Sequence, residues 1–334
     1  MTPHFDTAAL AGEGPLGLAV AAYAQGDYAK AAGLFAPLAA QGDVHAQVFL
    51  AVMHHNGDGV ERDHDQSAEW FLAAARGGDA GAQYQYAVKL SVGQGVAAKF
   101  TEAAKWFRAA AEQGDMEAQA ELGAIYRTGR GVEPDVDEAV KWYEKAAAQG
   151  HAWVQHALGH IHETGDGVAI DDVEAVKWYR LAADQGIAEA QKDLGTMYLD
   201  GRGVAQDYAE AAQWYGKAVA QGEIKALGGL AYLYLSGLGV AQDYVEAARL
   251  YQEAAEYDFA DCQLNLGIMY LNGTGVPQDD VTAHMWLNLA SSGETSARED
   301  YQEQAAECRD FVAARMTPAQ IAEAEQRARD WEDD

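Results

Sequence analysis

Apolar residues recur along most of this chain in two helical runs separated by a glycine-rich gap. The stretch from Leu194 to Tyr215 shows the unit. Leu194, Gly195 and Tyr198 mark one helix, Gly201-Arg202-Gly203-Val204 makes a loop, Asp207 follows, and Trp214-Tyr215 lie in a second helix. The same order returns with a period of 36 residues, its loop glycines at Gly57/Gly59, Gly93/Gly95, Gly129/Gly131, Gly165/Gly167, Gly201/Gly203, Gly237/Gly239 and Gly273/Gly275. A valine follows each pair, and a tryptophan keeps the same beat at Trp70, Trp106, Trp142, Trp178, Trp214 and Trp286, with Leu250 in the remaining copy. Seven uninterrupted copies predict an all-α protein, an α/α solenoid of helix pairs in which each pair buries its apolar face against its neighbours.

Each part of the unit has a physical reason. The loop glycines let the first helix end in a left-handed cap, and the valine is expected to be buried and to pin the loop. An aspartate (Asp63, Asp135, Asp171, Asp207, Asp243, Asp279) is placed to cap the second helix, with Glu138, Glu174, Glu210 and Glu246 three residues on as capping-box partners. Lys99 replaces this acid in the second copy, so that helix start is expected to be weaker. The tryptophan and the aromatic after it (Phe71, Phe107, Tyr143, Tyr179, Tyr215, Tyr251) fill the space between copies.

Leu-Gly-x-x-Tyr, Gly-x-Gly-Val-x-x-Asp, Ala-x-x-Trp-Tyr and the closing Gln-Gly (Gln113-Gly114, Gln149-Gly150, Gln185-Gly186, Gln221-Gly222) resemble the Sel1-like repeat family, relatives of tetratricopeptide repeats. The resemblance covers about residues 16–331. It implies a right-handed α/α superhelix serving as a protein-binding adaptor or scaffold, in many cases bacterial, and names no particular partner. The expected organisation is a loose N-terminus at 1–15, a capping helix pair at 16–42, seven repeats at 43–294 and capping helices at 295–334. The first tail helix is expected from Ser296 to Arg315, and Thr317-Pro318 supplies an N-cap and a first-turn proline for the second. These helices either close the end of the solenoid or dock another protein.

Charge narrows the partners. Lys and Arg number 23 against 52 Asp and Glu, a net charge of −29. No cationic excess is available to replace phosphate counterions, so nucleic-acid binding is disfavoured. A basic partner would be steered in, or the acids simply solubilise the protein and cap its helices. Two cysteines, Cys262 and Cys308, are too few for a disulfide framework. No stretch reaches the length of a membrane span, and the first residues lack a signal-peptide pattern, so a cytoplasmic location is expected; a mature periplasmic form would read the same.

The copies differ from one another mainly on one face of the first helix, two and five residues either side of its leucine. By resemblance to tetratricopeptide repeats this face lines the concave side. It carries Val48, Val52 and His55, then Tyr84 and Val88, Ala120, Ala124 and Arg127, Trp153, His156, His160 and Glu163, Lys192 and Thr196, Tyr232 and Leu235, and Leu264, Ile268 and Leu271. Trp153 stands where neighbouring copies have Glu117 and Glu189, off the packing framework, with Arg127 and Lys192 on either side in sequence; aromatic and Arg side chains of this kind make hot spots. The candidate partner-binding set is Tyr84, Arg127, Trp153, His156, His160, Glu163, Lys192 and Tyr232.

His156, His160 and Glu163 fall at i, i+4 and i+7, near His151 and His162, and two such histidines can share a zinc ion. The order is not His-Glu-x-x-His, and His162 fills the tyrosine slot of Tyr126 and Tyr198, so no metal or cofactor is assigned. No nucleophile elbow, P-loop or dinucleotide fingerprint is present. The expected function is a non-enzymatic scaffold gripping a protein or peptide on the concave face. Two alternatives stand beside it: an inhibitor or immunity-type protein that blocks a basic effector enzyme, and a metal-dependent enzyme centred on His156 and His160.

Overall fold

The fold follows from how each helix of the repeat is stopped and restarted. In the computed structural model, which describes residues 1–5, 10, 12–292 and 299–333, the chain is all α-helical apart from loops and one 3₁₀ turn at Ile224–Ala226. A first pair, α1 (Pro15–Ala24) and α2 (Tyr28–Ala40), precedes seven further pairs. These are α3 (Val44–Asn56) with α4 (His64–Arg76), α5 (Ala80–Val92) with α6 (Phe100–Glu112), α7 (Met116–Thr128) with α8 (Val136–Ala148), and α9 (Ala152–Thr164) with α10 (Asp172–Asp184). There follow α11 (Ala188–Asp200) with α12 (Tyr208–Ala220), α13 (Leu227–Ser236) with α14 (Tyr244–Ala255), and α15 (Ala260–Asn272) with α16 (Asp280–Ser292). Two tail helices, α17 (Glu299–Ala313) and α18 (Pro318–Asp333), complete the chain. The start expected at Ser296 and the boundary at 294/295 lie outside the described residues. The chain divides into two compact units, residues 1–158 with 166–169 and residues 159–165 with 170–334, so the boundary falls inside α9.

The loop works as its glycines require. Gly201 ends α11 at φ 68°, with the Arg202 N–H returning to the Met197 carbonyl. Gly203 adopts φ 66°, and a Cβ there would collide with the Asp172 carbonyl of the preceding repeat, so both conformation and close approach demand glycine. The valine of each loop is half-buried rather than buried. Asp63, Asp135, Asp171, Asp207 and Asp243 cap the second helices through backbone N–H groups two or three residues on, and Lys99 makes no side-chain cap.

The capping boxes differ from expectation. The N–H that a reciprocal glutamate would accept is already spent: Asp135 donates to the Tyr126 carbonyl, Asp171 to His162 and Asp207 to Tyr198. Freed from that role, Glu138 pairs with Lys141, Glu174 with Lys177 and Glu246 with Arg249, while Glu210 accepts from the Trp214 indole. A true reciprocal box occurs at α18, where the Thr317 N–H donates to Gln320 and the Gln320 N–H to the Thr317 hydroxyl.

Between copies the aromatic after the tryptophan is buried throughout, at Phe71, Phe107, Tyr143, Tyr179, Tyr215 and Tyr251, whereas the tryptophan varies: Trp142, Trp214 and Trp286 are buried and Trp70, Trp106 and Trp178 half-buried. Gly159 shows why the first helix carries a small residue opposite, since a Cβ there would press on the Tyr179 ring. A buried polar ladder accompanies this core. The amides of Gln47, Gln83, Gln119, Gln155, Gln191 and Gln263 donate to the carbonyls of Ala39, Ala75, Ala111, Ala147, Ala183 and Ala255. Gln113, Gln149 and Gln221, from the Gln-Gly turns, donate in turn to the oxygens of Gln83, Gln119 and Gln191. Gly77 occupies that turn position in the first repeat, and the Gln47 oxygen is left buried without a partner.

Both ends are closed by packing. Within the segment expected to be loose, the Phe5 ring lies tilted against His45 at 4.6 Å and Phe49 at 6.4 Å, and His4 lies 3.0 Å from Asp79. At the other end, Ala305 and Val312 of α17 share a cluster with Leu264, Leu271, Leu287 and Ala290, and Trp331 of α18 meets Trp286 edge-on at 5.0 Å.

Candidate functional site

The face that varies between repeats is built on the first helices, whose opposite side is held by the leucine and the buried glutamine. Its two ends are not open. Val48 and Val52 are buried in the core with Phe71 and Ala74, and Leu264 and Leu271 lie beneath α17. The positions between them divide by unit.

In the first unit Trp153, second in α9, is 55% exposed, and its ring meets His156 edge-on at 6.5 Å. Arg127 is exposed, and its guanidinium lies beside the Tyr143 hydroxyl. Burial raises that phenol's pKa and the neighbouring positive charge opposes the rise. Tyr84 is half-buried with its ring against the edge of Phe107 at 5.7 Å, and burial pushes its hydroxyl up to about 12. His151 fills the cap position of α9: its Nδ1 accepts the Val154 N–H, and its Nε2 lies 3.5 Å from Glu117.

In the second unit His160 is exposed and Tyr232 presents an exposed ring. Lys192 pairs with the adjacent Asp193. Glu163 is committed inside the protein. Its Oε2 accepts from the Tyr179 hydroxyl at 2.6 Å and its Oε1 from Arg202 at 2.8 Å, and Arg202 also grips Asp172 at 2.7 Å. These bonds, that to Asp172 first, hold Arg202 more firmly in its charged form, while burial and then the Glu163 carboxylate push the Tyr179 phenol far up. Arg127 and Glu163 occupy one repeat position and face the same tyrosine position, but Glu163 is locked and Arg127 stays exposed.

With both Glu163 oxygens engaged, the carboxylate of the proposed metal constellation is occupied, and among the described residues no group of three or more His, Cys, Asp or Glu is placed to hold a metal ion. Cys262 is buried, with its thiol pushed far up by burial. Among the described residues no helix is long and apolar enough to cross a membrane. Sequence reasoning passed over Lys89, a buried amine that a comparison of the copies at this one position would have exposed.

These features define a class: tandem helix-pair repeats with a constant packing side and a variable face on the first helices. The Sel1 repeat family model matches residues 44–79, 80–115, 117–151, 154–187, 188–223, 224–256 and 260–293, and the chain belongs to that family. Sel1 repeats generally mediate protein–protein interaction, typically as non-enzymatic scaffolds. Among solved structures, the chain is similar to c5321, a protective antigen of uropathogenic Escherichia coli with an SLR fold, at 28% identity over 91% of this chain and 72% of that one, TM-score 0.65. It is also similar to a Sel1 repeat protein from Oxalobacter formigenes, at 29% identity over 71% of this chain and 95% of that one, TM-score 0.58. No curated protein matches the chain.

Proposed function

We propose that this protein is a non-enzymatic scaffold that holds a protein or peptide on the variable face of its first helices, with Trp153 as the anchor. The observation that carries the reading is the exposure of Trp153, at a position where neighbouring repeats place Glu117 and Glu189. A large ring left in water costs solubility and gains its return by burial against a partner. Within the first unit Tyr84, Arg127 and His156 occupy positions of the same helix face as Trp153; within the second, His160, Lys192 and Tyr232 hold the equivalent repeat positions. Glu163 serves this face as an internal strut, holding Arg202 and Tyr179 in place.

The test uses a partner recovered from the native host by pull-down. Trp153→Ala with His156→Ala should weaken binding by about 2 kcal/mol or more with helix content unchanged. A second reading, an inhibitor or immunity-type protein for a basic effector, draws on the net charge of −29. It predicts that replacing Glu138 and Glu174 with Gln abolishes binding, whereas under the scaffold reading those changes mainly slow association and flatten its salt dependence. Full affinity in the Trp153/His156 variant together with lost binding in the acidic variants would move the site off this face.

A further inference from the structure

Lys89 is 1% exposed, in a position that the other repeats fill with Met53, Ile125, Ile161, Met197, Leu233 and Met269. A buried ammonium is costly unless an anion accompanies it. Among the described residues Lys89 forms no ion pair. Its Nζ lies 3.4 Å from His55 Nδ1 and 5.7 Å from the centre of the Phe71 ring. The His55 ring in turn lies 5.2 Å from that of His64, whose Nδ1 is buried without a partner. Arg62 adds positive charge around His55. Of the acids that flank His64 in sequence, Asp58 accepts from Asn56 and Asp63 caps α4, and no carboxylate offsets the desolvation of Lys89.

The equivalent joint between the fourth and fifth repeats shows what is missing. The positions of His55 and His64 are there filled by Glu163 and Asp172, and Arg202, in the position of Gln94, bridges the two. In the last repeat Asp280, at the position of Asp172, pairs with Arg315 of the tail at 3.1 Å, with Leu271 in place of the glutamate. Those joints contain both partners of a carboxylate–cation pair. At the joint between the first and second repeats the corresponding positions hold two imidazoles beside the Lys89 ammonium, and no carboxylate.

We propose that this joint is a carboxylate-binding site, in which Lys89, His55 and His64 take the carboxylate of an acidic side chain or a chain terminus. The bound anion supplies the half of the ion cluster that the later joint supplies from its own residues. His55 and His64 are half-buried, so the cluster meets solvent at their rings. Desolvation, with no acid to offset it, lowers the Lys89 pKa in the absence of ligand, and an arriving carboxylate reverses that.

The test is the thermal midpoint of the full chain in sodium acetate against sodium chloride at equal ionic strength and pH 7. Acetate should raise the midpoint along a saturating curve. Lys89→Met should raise the midpoint in chloride, since methionine fills this position elsewhere, and should lose the acetate-specific increment. His55→Gln and His64→Gln should each shift half-saturation to higher acetate, which keeps the test valid if Lys89→Met folds poorly. An equal increment in Lys89→Met would be a general salt effect and would overturn the proposal. Stabilisation by phosphate but not acetate, or no increment at all over chloride, would also overturn it.

Discussion

Trp142 and Trp153 stand on consecutive helices and have opposite environments. Trp142, on the second helix of its repeat, is 5% exposed, packs with Tyr126 and Ala139, and carries the Lys145 ammonium 3.6 Å from its ring centre. Trp153, on the first helix of the next, is 55% exposed. Residue type does not separate them; position in the period does. A ring on the beat belongs to the framework, and a ring off the beat is available to something else. The largest expected effect tests this directly. Trp142→Ala should cost about 3 to 5 kcal/mol, as loss of a large core ring does, and Trp153→Ala under about 1 kcal/mol. Equal losses in urea unfolding would make Trp153 part of the framework and remove the anchor from the proposed site.

The next test sharpens the comparison at two equivalent tyrosines. Tyr179→Phe removes the donor to Glu163 Oε2, a charged acceptor still held by Arg202, and should cost about 1 to 2 kcal/mol. Tyr143→Phe releases an exposed Arg127 that water can satisfy, so its cost should stay within about 0.5 kcal/mol. Thermal melts of the two variants decide it: matched losses would show that Glu163 is no more committed than Arg127 and return it to the partner-binding face.

Much of this was legible in the sequence because the repeat is strict wherever the backbone has no alternative. The loop glycines and capping aspartates sit where positive φ, a close approach or an orphaned N–H admits few residues. Other parts were hidden for identifiable reasons. Gln83 and Gln119 look like surface residues, and only packing shows that they bridge a carbonyl and the next turn. Glu163 looked free because its partners Tyr179 and Arg202 come from other elements. Glu138 looked like a capping-box acid because Asp135's prior bond to the Tyr126 carbonyl is a feature of the tertiary fold. The boundary between the two compact units falls within a continuous helix and an unbroken period, and left no trace in the residues. Lys89 was visible in principle, but finding it required comparing a core position across copies rather than only the variable face.

The glutamine ladder offers a gain where the other changes offer losses. Gln47 lacks the partner that Gln113 gives Gln83, because Gly77 stands in that position. A Cβ at Gly77 would come within 2.6 Å of Val44 Cγ2, and the next repeat has Ala80 at the position of Val44. Gly77→Gln combined with Val44→Ala should therefore complete the ladder and stabilise the first unit by about 1 kcal/mol. A melting midpoint at or below that of the parent would show that the ladder's terminal bond contributes nothing net.

The smallest effect concerns the tryptophans of the framework. The indole N–H groups of Trp142 and Trp178 are buried without acceptors, whereas that of Trp214 donates to Glu210 at 3.2 Å. The difference lies one turn away. Glu138 and Glu174 are drawn off by Lys141 and Lys177, but the corresponding neighbour of Glu210 is Gln213, which exerts no such pull. An exposed pair of this kind contributes little, while an unsatisfied buried donor costs about 1 to 3 kcal/mol. Lys141→Gln should release Glu138 to the Trp142 indole, and the recovered indole bond should outweigh the lost exposed pair, which raises the melting midpoint slightly. The same change should shift the Trp142 indole proton in NMR spectra towards a hydrogen-bonded value. A raised midpoint without that shift would assign the gain to charge alone, and a lowered midpoint would mean that the lysine pair outweighs the orphaned donor.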